Sequence, residues 1–238
     1  LMFLTAAGLA PRKRKEPQTR DSLPAFPLFT RSSFLALAAF AALMTLSGWG
    51  EWVNQHPDHI VRNACLRELV ASPWPVIFPD GNMLVYNTGL WLIPALAGKL
   101  AGLDAARVLV VLWGAWGLFL AWLWLCVFSG RRSLLLALLM AAFGSLLNFQ
   151  CWLGLGRLHY FGTAEQIMCS ANASIPVLLF FIFLASGRMP LPWIPLLFAA
   201  TAFYSPLAAL GGLPLAACQW YRQWRGVPPL RDVLLHPS

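Results

Sequence analysis

The chain has 238 residues, 59% of them hydrophobic and only 11% charged, against about 25% charged in an average soluble domain. That composition excludes an ordinary soluble domain, and twelve Trp with sixteen Phe fit a multi-pass membrane protein with aromatic belts at both interfaces. The formal charge of +8, which in a soluble protein points to nucleic acid, is read here as the positive-inside bias of membrane loops, so no nucleic-acid partner is expected.

In chain order, residues 1–32 read as the end of an apolar segment followed by a basic linker with Arg12, Lys13, Arg14, Lys15, Arg20 and Arg31. Charges that follow the apolar stretch instead of preceding it do not make a signal peptide, and the sequence reads as a fragment of a longer chain. Residues 33–221 are expected to form a transmembrane bundle. Its spans fall at about 33–50, 106–128, 133–150, 173–187, 191–203 and 205–221, each near the length of about 20 apolar residues that a bilayer demands or somewhat short of it. The run 191–221 is too long for one span; Pro206, Gly211, Gly212 and Pro214 break it, with a turn near Tyr204–Ser205–Pro206. Residues 222–238 form a basic tail or a truncated loop.

The long polar interruption at 51–83 carries Asp58, His59, Arg62, Asn63, Arg67, Glu68 and Asp80. Ionisable groups gathered where a helix leaves the bilayer contribute nothing to insertion and mark a site. Residues 58–71 alternate polar and apolar positions as an amphipathic interfacial helix does. Asp58 fits its N-cap or first turn, and Arg62 lies one turn on, within pairing distance. Asp80, in Pro79–Asp80–Gly81–Asn82, reads as a turn residue.

The run 84–102 is apolar enough to span but contains Asn87, Pro94 and Lys99. If it spans, Arg131, Arg132, Arg222 and Arg225 fall outside, against the positive-inside rule. If it lies on the outer surface or only dips in, twelve of the seventeen basic residues become cytoplasmic, in the linker 11–32, at Arg131–Arg132, at Arg188 and in the tail. The second arrangement is preferred. Segments 51–105 and 151–172 then share the outer face, the latter with Arg157, His159, Tyr160, Glu165 and Gln166. The five cysteines form no CxxC pair, so zinc is not expected; Cys151 and Cys169 are placed to meet outside the membrane, but the preferred reading is small buried apolar residues. Walker A, GxSxG, HExxH and Rossmann patterns are absent.

The stretches HPDHIVRNACLREL and LVYNTGLWLIPALAGKLAGLDAARVLVVL resemble the multi-spanning GT-C glycosyltransferases of the lipid-linked sugar kind. The likeness covers residues 45–215 and points to an uncharacterised branch of bacterial membrane proteins with DH-x-x-RN, WPV and LVY-x-x-G-x-W-x-x-PAL-x-GK patterns. It implies an all-α polytopic bundle in the inner membrane, with juxtamembrane surface helices in the first outer loop. It also implies a polyprenyl-phosphate sugar as donor. By position, Asp58 matches the acid that serves such enzymes as base or metal-linked acid, with a divalent cation as the one cofactor in view. Glu165 sits where many members have a second acid. His59, Arg62, Lys99, Arg157 and His159 are the substrate-binding candidates, the basic ones for the donor phosphate. The chain departs from the pattern in having a single acid at the Asp58 position and in lacking the later spans and C-terminal outer domain. Two other readings stand beside it: a non-catalytic protein for envelope polysaccharide assembly or export, and a transporter. The last fits least, because Asn148, Gln150 and Gln219 lie near span ends.

Overall fold

The computed structural model describes residues 30–53, 55, 57–86, 88–142, 163–186, 190 and 192–226. These residues form eight α-helices, with one isolated β-bridge between Ile77 and Met83. The chain is thus all-α among the described residues. The helices are α1 (Arg31–Leu46), α2 (Pro57–Ala71), α3 (Gly89–Ala101), α4 (Leu103–Ser129), α5 (Leu134–Ala142), α6 (Thr163–Ser186), α7 (Trp193–Tyr204) and α8 (Pro206–Trp224).

Helix α1 starts on Thr30, whose side chain accepts from the Ser33 N–H. It stops at Leu46, short of the expected 50, because Gly48 and Gly50 turn the chain with φ of 93° and 90°, a region open to glycine at no steric cost. Helix α2 matches the expected helix within one residue, but its faces differ from the expected amphipathic pattern: His59 and Arg62 are buried, while Ile60 and Val61 are exposed. The Asp80 carboxylate accepts the Asn82 N–H at 3.1 Å and its side-chain amide at 2.6 Å, and these two bonds hold the carboxyl below its usual range. Asp80 is therefore the turn residue its neighbours suggested. Helix α3 begins at Gly89 and not at 84, since Met83 pairs with Ile77 and the Leu84 N–H is taken by the Val76 carbonyl at 3.0 Å.

One residue, Gly102 with φ of 90°, joins α3 to α4. Helix α3 folds back along the first half of α4: a Cβ on Gly98 would lie 2.9 Å from the Ala106 Cβ, and Leu90 shares a cavity wall with Trp113 and Gly117. Helix α4 has 27 residues, about 40 Å of rise. Among the described residues it is the one helix long and apolar enough to cross a membrane, while α1, α3, Ser170–Ala185 and α7 are apolar but shorter.

Helix α4 is the central post. Helix α1 runs antiparallel to it, with Met44 against Gly114 at one level and the Arg132 Nη2 donating to the Ser33 Oγ at 2.8 Å at the other. The packed core includes Phe40, Met44, Trp49, Trp91, Leu118 and Trp122. Helix α6 begins at Thr163, ten residues before the expected span; Ala164, Glu165, Gln166 and Met168 are good helix formers, but Thr163, Glu165 and Gln166 make the stretch too polar to read as a span. A non-helical Ser170 (φ −155°, ψ 50°) divides α6. Helices α7 and α8 part at extended Ser205, which caps α8 through a 3.4 Å bond from the Ala208 N–H. Pro206 at the first helical position suits that start. This is the expected break.

Candidate functional site

The site grows from the turn after α1. Trp49 is buried, and its Nε1 donates to the Ile167 carbonyl at 2.9 Å, beside the break in α6. Its ring forms the floor of a cluster. His59 meets it edge-on at 5.2 Å, Trp91 lies at 6.3 Å, and the Arg62 guanidinium sits 5.9 Å from the ring centroid. A cation over an indole face is attracted by the ring quadrupole, and more strongly once desolvated.

Helical spacing explains which groups turn inward. His59, Arg62, Leu66 and Leu69 recur at three- and four-residue steps and form the buried stripe of α2, as a helix on a packed surface requires. His59 is 0% and Arg62 7% exposed. The Arg62 Nη2 donates to the Ser170 Oγ at 3.1 Å and lies 3.8 Å from the Asp58 Oδ2. Its Nε and Nη1 are buried and have no hydrogen-bond partner among the described residues. The Asp58 side chain is 51% exposed. A carboxylate open to a ligand is thus backed by a permanently charged guanidinium that cannot deprotonate. The segments 51–105 and 151–172 touch at the Arg62–Ser170 bond.

Not every candidate joins this cluster. The Lys99 Nζ donates to the carbonyls of Val70 and Ser72, at 3.4 and 2.5 Å, and lies 5.4 Å from the Trp74 ring centroid. It covers the C-terminal carbonyls of α2, as a cation at a helix C-terminus should. From Asp58 to Val70 the helix rises about 18 Å, so Lys99 sits at the far end. Arg157 and His159 lie outside the described residues. The backbone of Glu165 belongs to the part of α6 that docks on Trp49; its side chain lies outside the description. Among the described residues no group of three His, Cys, Asp or Glu could hold a metal ion.

One charged residue that sequence reasoning passed over is Glu51. It has φ of 68°, a left-handed backbone that costs a non-glycine residue about 1–3 kcal/mol. Its side chain is 11% exposed, and Oε2 accepts from the Arg67 Nη2 at 2.6 Å and from the Arg107 Nη2 at 2.5 Å. Arg107 also reaches Asp104 at 2.8 Å. Glu51 therefore fastens α2 to α4 beside the site. A carboxylate directly after two turning glycines was the available signal. On the inner stripe of α2, burial and then the nearby Glu68 push the Cys65 thiol up to about 11. It is an inert packing group, since thiols react as thiolates.

No family model, curated protein or solved structure matches the chain.

Proposed function

We propose that the chain is a multi-pass, GT-C-like membrane glycosyltransferase that takes a sugar from a polyprenyl-phosphate donor on the outer face of the membrane. The observation that carries this reading is the Asp58–Arg62 pair at 3.8 Å, its carboxylate half open and its guanidinium buried where α2 meets α6. Asp58 accepts the proton of the acceptor hydroxyl as that oxygen bonds to the anomeric carbon. The bond from that carbon to the phosphate oxygen breaks, and the negative charge that gathers there faces Arg62.

Three features support the membrane arrangement. Helix α4 is long enough to cross. Helix α3, with 13 residues, rises about 20 Å, well short of a hydrocarbon core of about 30 Å, so it dips and returns. The Arg132–Ser33 bond joins the Arg131–Arg132 pair to the start of α1, where the basic linker ends. That common basic end is the cytoplasmic one, and the localisation is the inner membrane. The engagement of Lys99 with backbone carbonyls favours a second reading, a protein of the same fold serving envelope polysaccharide assembly or export without catalysis.

Transfer by the full-length protein reconstituted with a polyprenyl-phosphate sugar separates the two. Asp58→Asn is expected to lower transfer about 10²–10⁴-fold at unchanged expression and thermal stability. Unchanged transfer would remove Asp58 from the chemistry.

A further inference from the structure

Below the Arg62–Ser170 contact lies an apolar cavity of about 180 Å³ between α3, α4, α6 and α7. Its walls include Leu90, Trp113, Gly117, Ile175, Pro176 and Tyr204, and no charged residue among the described ones lines it. An enclosed apolar cavity of about 150 Å³ accepts benzene, so this partly open pocket has room for a short run of hydrocarbon. The glycines explain its shape. A Cβ on Gly117 would lie 2.5 Å from the Ile175 Cγ2, and one on Gly89 2.9 Å from the Tyr204 ring. The helices are therefore drawn together at the two sides, and the space between is left open.

The same helix carries the cavity and the cation. Ser170, which receives Arg62, and Ile175, in the cavity wall, are five residues apart on α6, about 7.5 Å of helical rise. Between them Asn172 is 4% exposed, and its Oδ1 and the Ser174 Oγ have no hydrogen-bond partner among the described residues. Pro176 also lacks the N–H that would serve the Asn172 carbonyl. In order along α6 the structure offers a buried guanidinium with two N–H groups unmatched among the described residues, a step of polar groups likewise unmatched, and an apolar chamber. Charged head and hydrocarbon chain are matched in that order.

We infer that this chamber seats the first segment of one hydrocarbon chain of a phosphorylated lipid whose phosphate lies at Arg62. The inference rests on the reading of the α2–α6 junction given above and adds to it the residues that take the chain. The required chemistry is a phosphate ester on a single narrow chain, which a prenyl phosphate and a lysophosphatidate both provide.

The test uses the full chain in detergent micelles with farnesyl phosphate, palmitoyl lysophosphatidate and inorganic phosphate as probes. Leu179→Phe and Leu120→Phe each narrow the chamber from a different wall. Either is expected to weaken farnesyl phosphate binding at least tenfold while leaving inorganic phosphate binding and thermal stability unchanged. A photoreactive farnesyl phosphate applied to the unsubstituted protein should attach to peptides containing 113–120 and 175–179, a readout that does not depend on a variant folding. Tighter binding of farnesyl phosphate than of lysophosphatidate assigns the prenyl source, and the reverse order the acyl source, each in support of the chain site. Equal binding of both lipids to the narrowed variants, or attachment elsewhere, overturns it. If Asp58→Asn abolishes transfer while narrowing changes nothing, only the chain site falls. If narrowing weakens binding while Asp58→Asn leaves transfer intact, only the catalytic reading falls.

Discussion

Glu51 accepts a hydrogen bond from Arg107 at 2.5 Å across 56 positions of sequence. The same carboxylate oxygen accepts from Arg67 on α2, so one strained residue holds the site helix against the central post. Charge-assisted bonds of this kind are about twice as strong as neutral ones.

Glu51→Ala should therefore cost about 1–3 kcal/mol, the range for leaving a partly buried partner unmatched. Glu51→Gly loses the same bonds but relieves the left-handed backbone at φ of 68°, and should recover part of the loss. Thermal unfolding of both variants in detergent checks the order. A glycine variant less stable than the alanine one would remove backbone strain from the account.

Cys65 gives a pH-dependent outcome. With its thiol raised from 9.0 to about 11, the folded protein keeps that proton between those values, whereas the unfolded chain releases it. The contribution to stability is full below pH 9 and is lost as pH rises through about 11. At pH 8 the thiolate fraction is about a hundredfold below that of an ordinary thiol, so maleimide labelling of Cys65 should trail that of exposed Cys218 by at least that factor. Mass-spectrometric labelling rates decide it; equal rates would place Cys65 outside the packed face of α2.

Adjacent glycines on α8 should behave oppositely. A Cβ on Gly212 would lie 1.9 Å from the Phe180 ring, while nothing lies within 4 Å of one on Gly211. Gly212→Ala should destabilise by about 1–3 kcal/mol through overpacking, and Phe180→Leu should relieve it. Gly211→Ala should stabilise by about 0.4–1 kcal/mol, because the unfolded chain loses freedom. Thermal unfolding of the three variants measures each effect, and similar shifts at both glycines would show that α8 does not pack on Phe180.

Helix α2, the Asp80 turn and the break at Ser205 were legible because each depends on neighbours in sequence: a proline, a first-turn acid, a Pro-Asp-Gly-Asn turn. The pairing of Asp58 with Arg62 was legible for the same reason, one helical turn. What escaped depends on distant partners. The role of Lys99 is set by carbonyls 27 and 29 positions away, and polarity at 163–172 hid a helical segment whose fit is decided by Trp49. The start of α3 escaped because the bridge between Ile77 and Met83 holds residues that local apolarity assigns to a helix.

Lys99 grips the last carbonyls of α2, and Arg107 reaches the same end of the helix through Glu51 and Arg67. Both cations stand on the hairpin that Gly102 turns, one on each arm. The site helix is therefore an arm clamped near its C-terminal end. A ligand drawn to Asp58 and Arg62 meets the other end of that arm, steadied by the Arg62 bond to Ser170 and by the Trp49 ring, and adjustment there falls to side chains and to the broken turn at Ser170.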